Sequence, residues 1–122
     1  MNDDKKKSYI EVYGEFLDSF RLKEISPEEV GLLIAKFSQY FMQYNMLAQR
    51  SLKVYSGVKR NILTGTDSNG KELSVSKADA LADATEEAAA YEEARAHVQN
   101  IEQCINALKS LQKGQLFEYS HQ

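Results

Sequence analysis

The sequence is poor in residue types that would restrict its fold. Among its 122 residues there is no tryptophan, one proline and one cysteine. The lone Cys104 cannot form an internal disulfide, which predicts a reducing compartment such as the cytoplasm, or the host cytoplasm if the protein is viral. With Pro27 as the only proline, long stretches can stay helical without interruption. No apolar run matches a signal peptide or a membrane span, so we expect no membrane partner.

Residues that carry chemistry are also sparse and scattered. The two histidines are His97 and His121. Cys104 and Glu93 share a side of the predicted helix with His97, but a metal centre needs three or four ligands that meet at one point. The glutamate pairs at 86–87 and 92–93 are typical of a solvated helix face rather than of an acid–base dyad. No glycine-rich phosphate loop follows a strand. We therefore predict no enzymatic activity, no metal and no cofactor.

The apolar residues that are present recur at helical spacing, most clearly in the middle of the chain. Ser26 is suited to cap a helix, and Pro27 fits the first helical position. When Val30 is taken as heptad position a, apolar residues fill most a, d and e positions, as in a coiled coil. This pattern predicts one amphipathic helix over 27–64. Position d holds Leu33, Tyr40, Leu47, Val54 and Asn61.

Two further helices and a loop complete the predicted chain. Apolar spacing predicts a helix over 8–24 and an alanine-rich helix over 77–113, which we expect Gly114 to end. An Asn-Gly turn signal predicts a hairpin or loop over 65–76. Residues 114–122 are predicted to be a tail.

These elements predict an all-α fold with a particular shape. The tight connection before the central helix favours antiparallel neighbours. A helix over 27–64 would be about 57 Å long, whereas a compact globule of this size is roughly 35 Å across. We therefore predict an elongated antiparallel three-helix bundle, forming a single domain over 1–122 and completed by other copies of itself.

The charge of the chain changes sign along its length. The net charge is −3, but residues 50–78 carry six cations and two carboxylates. Clustered cations of this kind are suited to hold phosphates, and Tyr55 could stack on a base if it were exposed. The candidate anion-binding or nucleic-acid-binding residues are Arg50, Lys53, Lys59, Arg60, Lys71 and Lys77.

The second half of the central helix is the candidate oligomer interface. The short first helix would cover the central helix only as far as Leu47, and the alanine-rich start of the third helix buries little area against the rest. An apolar surface left in this way marks an interface, most simply across a two-fold axis. The candidate interface residues are Leu52, Val54, Tyr55, Val58, Ile62, Ala84 and Ala88.

The order of elements is similar to that of the phage T4-type recombination-mediator family. The loop reads Gly70-Lys71-Glu72-Leu73-Ser74, and the third helix carries Cys104-Ile105-Asn106-Ala107-Leu108 near its end. The resemblance covers 50–110, and the whole chain also resembles small all-helical bacteriophage accessory proteins. The resemblance to the recombination-mediator family implies an oligomer that binds single-stranded DNA and partner proteins. The alanine-rich acidic third helix departs from that family.

These observations predict a non-catalytic, self-associating helical interaction protein, of the kind a phage uses to bind or inhibit a host component. Two alternatives remain open. One is a single-stranded nucleic-acid mediator of recombination or replication. The other is an oligomer that sequesters a small ligand, such as a nucleotide, in a pocket between subunits. The expected partners are other copies of the chain and a second protein, and both alternatives depend on the central cations.

Overall fold

The computed structural model describes residues 7–22, 24–66 and 69–120, and within these ranges it contains helices and no strand. The prediction of an all-α fold is confirmed. The described ranges contain four helices instead of the predicted three. They are α1 (Tyr9–Leu22), α2 (Pro27–Leu63), α3 (Val75–Asp83) and α4 (Glu86–Ser120). None of these helices is both long enough and apolar enough to cross a membrane.

Helices α2 and α4 each contribute to two compact units. The first unit comprises Met1–Phe41 with Asn100–Gln122, and the second comprises Met42–Gln99. The predicted single domain, elongated shape and oligomeric state stay predictions. Lys23, Asp67 and Ser68, which fall within predicted elements, and the last two residues of the predicted tail lie outside the described residues.

The starts of α1 and α2 follow from local capping. The hydroxyl of Ser8 accepts a hydrogen bond from the Glu11 amide, and that of Ser26 accepts one from the Glu29 amide, both at 3.2 Å. Each bond satisfies an amide that has no partner within its helix. Because Pro27 lacks an amide hydrogen, it occupies the first position of α2 without leaving a donor unsatisfied.

The core of the first unit is built from large side chains. Phe37 of α2 is fully buried, and its ring lies 5.8 Å from that of Tyr13 and 5.4 Å from that of Tyr40, both edge-on. Edge-on aromatic pairs add to the free energy gained by burying the rings. The other buried apolar residues of this unit are Tyr9, Val12, Phe16, Ile25, Val30, Ile101 and Leu108.

Helix α4 continues past its predicted end. Gly114 does not stop it, and residues of the predicted tail 114–122 form its last turns to Ser120. A glycine ends a helix by adopting a left-handed conformation, and the one glycine with positive φ among the described residues is Gly70. Tertiary bonds favour the extension: the side-chain amide of Gln112 donates to the carbonyl of Pro27 at 3.0 Å, and that of Gln115 donates to the carbonyl of Ile25.

The predicted helix over 77–113 is divided by a break at Ala84 and Thr85. The hydroxyl of Thr85 donates to the Ala82 carbonyl at 2.7 Å, which closes α3, and accepts from the Ala88 amide at 3.2 Å, which caps α4. One side chain therefore satisfies backbone groups at both helix ends. The start also differs from the predicted residue 77, because Ser74 caps α3 and the helix begins at Val75.

The segment between α2 and α3 is a loop. Thr66 and Glu72 form a single antiparallel bridge, and Gly70 adopts φ 77°. That conformation suits glycine because it has no Cβ. The described residues of the predicted hairpin or loop over 65–76 therefore form no strand, and the last two of them already belong to α3.

The core of the second unit is built from small side chains. Among its described residues, every fully buried one is alanine. The larger apolar side chains of this unit are half-buried or exposed. The buried alanines are Ala48, Ala78, Ala82, Ala88 and Ala94.

Candidate interaction surface on helix α2

The buried side of α2 shifts around the helix along its length. In the first unit, Val30 and Phe37 at position a are buried, and Tyr40 at position d is half-buried. In the second unit, Leu47 and Val54, also at position d, are 47% and 56% exposed. A straight helix with 3.6 residues per turn drifts by about 20° per heptad relative to a seven-residue repeat. The drift turns Leu47 and Val54 outward, and we call this pair the apolar row.

Exposed cations lie beside the apolar row. From Val30 to Leu63, α2 carries five cations and no carboxylate. Arg50 is three residues after Leu47 and four before Val54, so it neighbours both on the helix surface. Arg50, Lys53 and Arg60 are exposed, and we call these three the basic row.

Lys59 is not counted in the basic row because it forms an ion pair within the chain. Its ammonium lies 3.2 Å from the carboxylate of Asp79 on α3. This hydrogen bond and the charge of Asp79 raise the pKa of Lys59. The positive charge predicted to bind an anion is therefore already matched by a carboxylate of the same chain.

Lys71 and Lys77 lie on other elements. Lys71 is exposed in the loop, and Lys77 is exposed in the first turn of α3. Because Asp79 pairs with Lys59 and Asp83 with Tyr55, α3 runs antiparallel to this part of α2. That direction places Lys77 near the C-terminal end of α2.

Tyr55 faces inward in the second unit. Its hydroxyl donates a hydrogen bond of 2.5 Å to the carboxylate of Asp83, and its ring stacks on Tyr91 with centroids 6.1 Å apart. The bond to Asp83 raises the pKa of Tyr55. The ring that was predicted to stack on a base if exposed is half-buried and already stacked.

The candidate interface residues differ in how far they are exposed in the structure. Val54 and Ala84 are exposed, whereas Ala88 is buried. Leu47 belongs with Val54, and counting α2 at 3.6 rather than 3.5 residues per turn would have found this row from the sequence. The remaining candidates, which are half-buried within their own chain, are Leu52, Tyr55, Val58 and Ile62.

The outer face of α4 is acidic in the second unit. Glu92 and Glu93 are exposed, as are Ala89 and Ala96 on the same side of the helix. The carboxylate of Glu93 lies 3.9 Å from His97, whose ring lies 5.1 Å from that of Tyr44. We call Ala89, Glu92, Glu93 and Ala96 the acidic face.

The candidate reactive groups that the structure describes do not form a metal site. Cys104 is half-buried in the first unit, and burial raises the pKa of its thiol, which disfavours the nucleophilic thiolate. Across the described ranges, no three His, Cys, Asp or Glu side chains are grouped so that they could hold a metal ion.

Comparisons with known proteins identify no relative of this chain. No family model, no curated protein and no solved structure matches the chain. The resemblance to phage recombination mediators stays a prediction.

Proposed function

We propose that this protein is a non-catalytic helical interaction protein that works as a self-associated oligomer. The observation that carries the proposal is the contrast within the second unit. Its fully buried residues are alanines, while Leu47 and Val54 are left about half exposed on α2.

The energetics favour a partner on this surface. Burying apolar surface stabilises by about 25 cal/mol per Å², so a fully buried leucine or valine contributes about 1.5–3 kcal/mol. An alanine core supplies much less area per residue. Covering the apolar row would recover part of the burial that the second unit lacks.

A second copy is the partner that the charges favour. The chain carries a basic row on α2 and exposed carboxylates on α4, which are the two sides of an electrostatic match. Complementary charge steers association and selects against wrong partners. A polyanion such as single-stranded nucleic acid is less well supported, since Tyr55 is occupied by Asp83 and Tyr91.

Light scattering coupled to size exclusion tests self-association. The unmodified protein should run as an oligomer at tens of micromolar, and Val54→Asp should shift it to monomer because a charge then replaces an apolar contact. Ser56→Asp is the matched control: it places the same charge two residues away, on another exposed side of α2. It should leave the oligomer intact, and circular dichroism should show both variants folded.

A monomeric unmodified protein at that concentration would overturn the proposal. So would equal dissociation by both variants, because the effect would then reflect added charge anywhere on α2.

A further inference from the structure

We infer that copies of this protein associate through unlike surfaces, with the apolar row and Arg50 of one copy against the acidic face of α4 in the next. The inference rests on the proposed self-association and specifies its geometry. The contact is a pair of helices, α2 from one copy and α4 from the other.

Pairing α2 with its own copy is disfavoured by charge. A two-fold contact over the apolar row would bring the basic rows of both copies together. From Val30 to Leu63 neither helix offers a carboxylate to compensate them. Like charges placed opposite each other across an interface destabilise it. The partner surface must therefore be acidic and open.

The acidic face of α4 matches the apolar row in spacing. Leu47 and Val54 are seven residues apart, and so are Ala89 and Ala96. Seven residues correspond to about two helical turns, or roughly 10.5 Å. The two larger side chains of one helix can therefore pack onto the two alanines of the other, and alanine lets the helix backbones approach closely.

Arg50 meets a carboxylate in either direction of the helix pair. With Leu47 opposite Ala96 and Val54 opposite Ala89, Arg50 lies level with the exposed Glu93 and one residue along the helix from Glu92. With the direction reversed, Arg50 lies level with Glu92 and one residue from Glu93. The acidic face therefore matches Arg50 whichever way the two helices run.

This contact has a consequence for the assembly. The contact joins two different surfaces, α2 of one copy and α4 of the other. If α4 of the first copy also meets α2 of the second, the pair closes as a two-fold dimer; if it meets a third copy, repeated contacts generate a closed ring or an open filament.

A charge-exchange experiment with the full chain tests the pairing. Variant one carries Arg50→Glu and Lys53→Glu, and variant two carries Glu92→Lys and Glu93→Lys. Each should be monomeric alone by light scattering under conditions where the unmodified protein is assembled, because its α2 and α4 then carry the same sign. An equimolar mixture should reassociate, since each variant offers what the other lacks, and high salt should weaken the mixed species.

Two control variants each carry one charge reversal of the same kind at another exposed position of the same helix. Lys36→Glu on α2 and Glu102→Lys on α4 should each leave the assembly unchanged. Circular dichroism should show all variants helical, so that loss of assembly cannot be confused with unfolding.

The outcomes separate this inference from the proposed function. A monomeric unmodified protein overturns both. An assembled unmodified protein whose oligomer withstands both variants overturns the pairing and leaves self-association standing. Assembly of variant two alone points to α2 against α2 and overturns the inference. If variant one stays assembled but loses salt-dependent binding of labelled single-stranded DNA that the unmodified protein shows, the basic row serves nucleic acid, which also overturns it.

Discussion

The two units of this protein have cores made of side chains of different size. The first unit buries Phe16, Phe37, Ile101 and Leu108, whereas the fully buried residues described in the second unit are alanines. Large side chains remove much apolar surface from water within one chain, and alanines remove little. The comparison indicates that the first unit has a core of large apolar side chains, whereas the second unit gains less from burial within its own chain.

Polar links are correspondingly prominent in the second unit. Helix α3 is tied to α2 by the ion pair between Lys59 and Asp79 and by the bond from Tyr55 to Asp83. The surface exposure of these groups means that solvent weakens such pairs. They define which way α3 packs, but they do not replace a large apolar core.

The largest expected effect comes from emptying the core of the first unit. Phe37→Ala should lower the free energy of unfolding by about 3–5 kcal/mol, because it removes a fully buried ring and leaves a cavity. Urea denaturation followed by circular dichroism measures this. Phe117→Ala, at an exposed position of α4, is the control and should cost far less. Similar losses for both would contradict a first unit built around Phe37.

A smaller effect is expected from enlarging the core of the second unit. Ala82 is fully buried, so Ala82→Leu should destabilise by about 1–3 kcal/mol through overpacking. The same substitution at the exposed Ala84 is the matched control. Stabilisation by Ala82→Leu would show that the alanine core has room to spare, and the contrast between the units would then reflect loose packing rather than close helix approach.

The smallest expected effect is a change in the pKa of one tyrosine, which distinguishes the cause of the Tyr55 shift from that of the Tyr13 shift. Burial is the main cause that raises the pKa of Tyr13 in the first unit, whereas the bond to Asp83 is the main cause that raises that of Tyr55 in the second. In an ultraviolet titration, Asp83→Ala should bring one tyrosine back toward the ordinary pKa of about 10 and leave Tyr13 unchanged. Tyr55→Phe and Tyr13→Phe assign the two transitions.

The same shift has a defined effect on stability. Because the folded state holds the Tyr55 proton more tightly than the unfolded state, the stabilising contribution is complete below about pH 10 and is lost as the pH rises through the folded pKa. The stability difference between the unmodified protein and Tyr55→Phe should therefore shrink above about pH 10. A difference that grows with alkaline pH would contradict the bond to Asp83.

The sequence alone determined features that depend on neighbouring residues. Helical periodicity established the all-α class, and Ser26 with Pro27 marked the start of α2, because caps and helix period are local. The cap at Thr85, followed by two glutamates, was also readable as a helix start. The helical spacing of apolar residues continues across this position and led instead to the prediction of one continuous helix.

Only the tertiary structure decided features that depend on distant groups. Helix α4 passes through Gly114 to Ser120 in a region where Gln112 and Gln115 bond to the carbonyls before and at the start of α2, far away in sequence. The ring and hydroxyl of Tyr55 contact Tyr91 and Asp83, which lie on other helices and far away in the sequence. Periodicity specifies that a helix has an apolar side, but long-range packing selects which of its residues are covered.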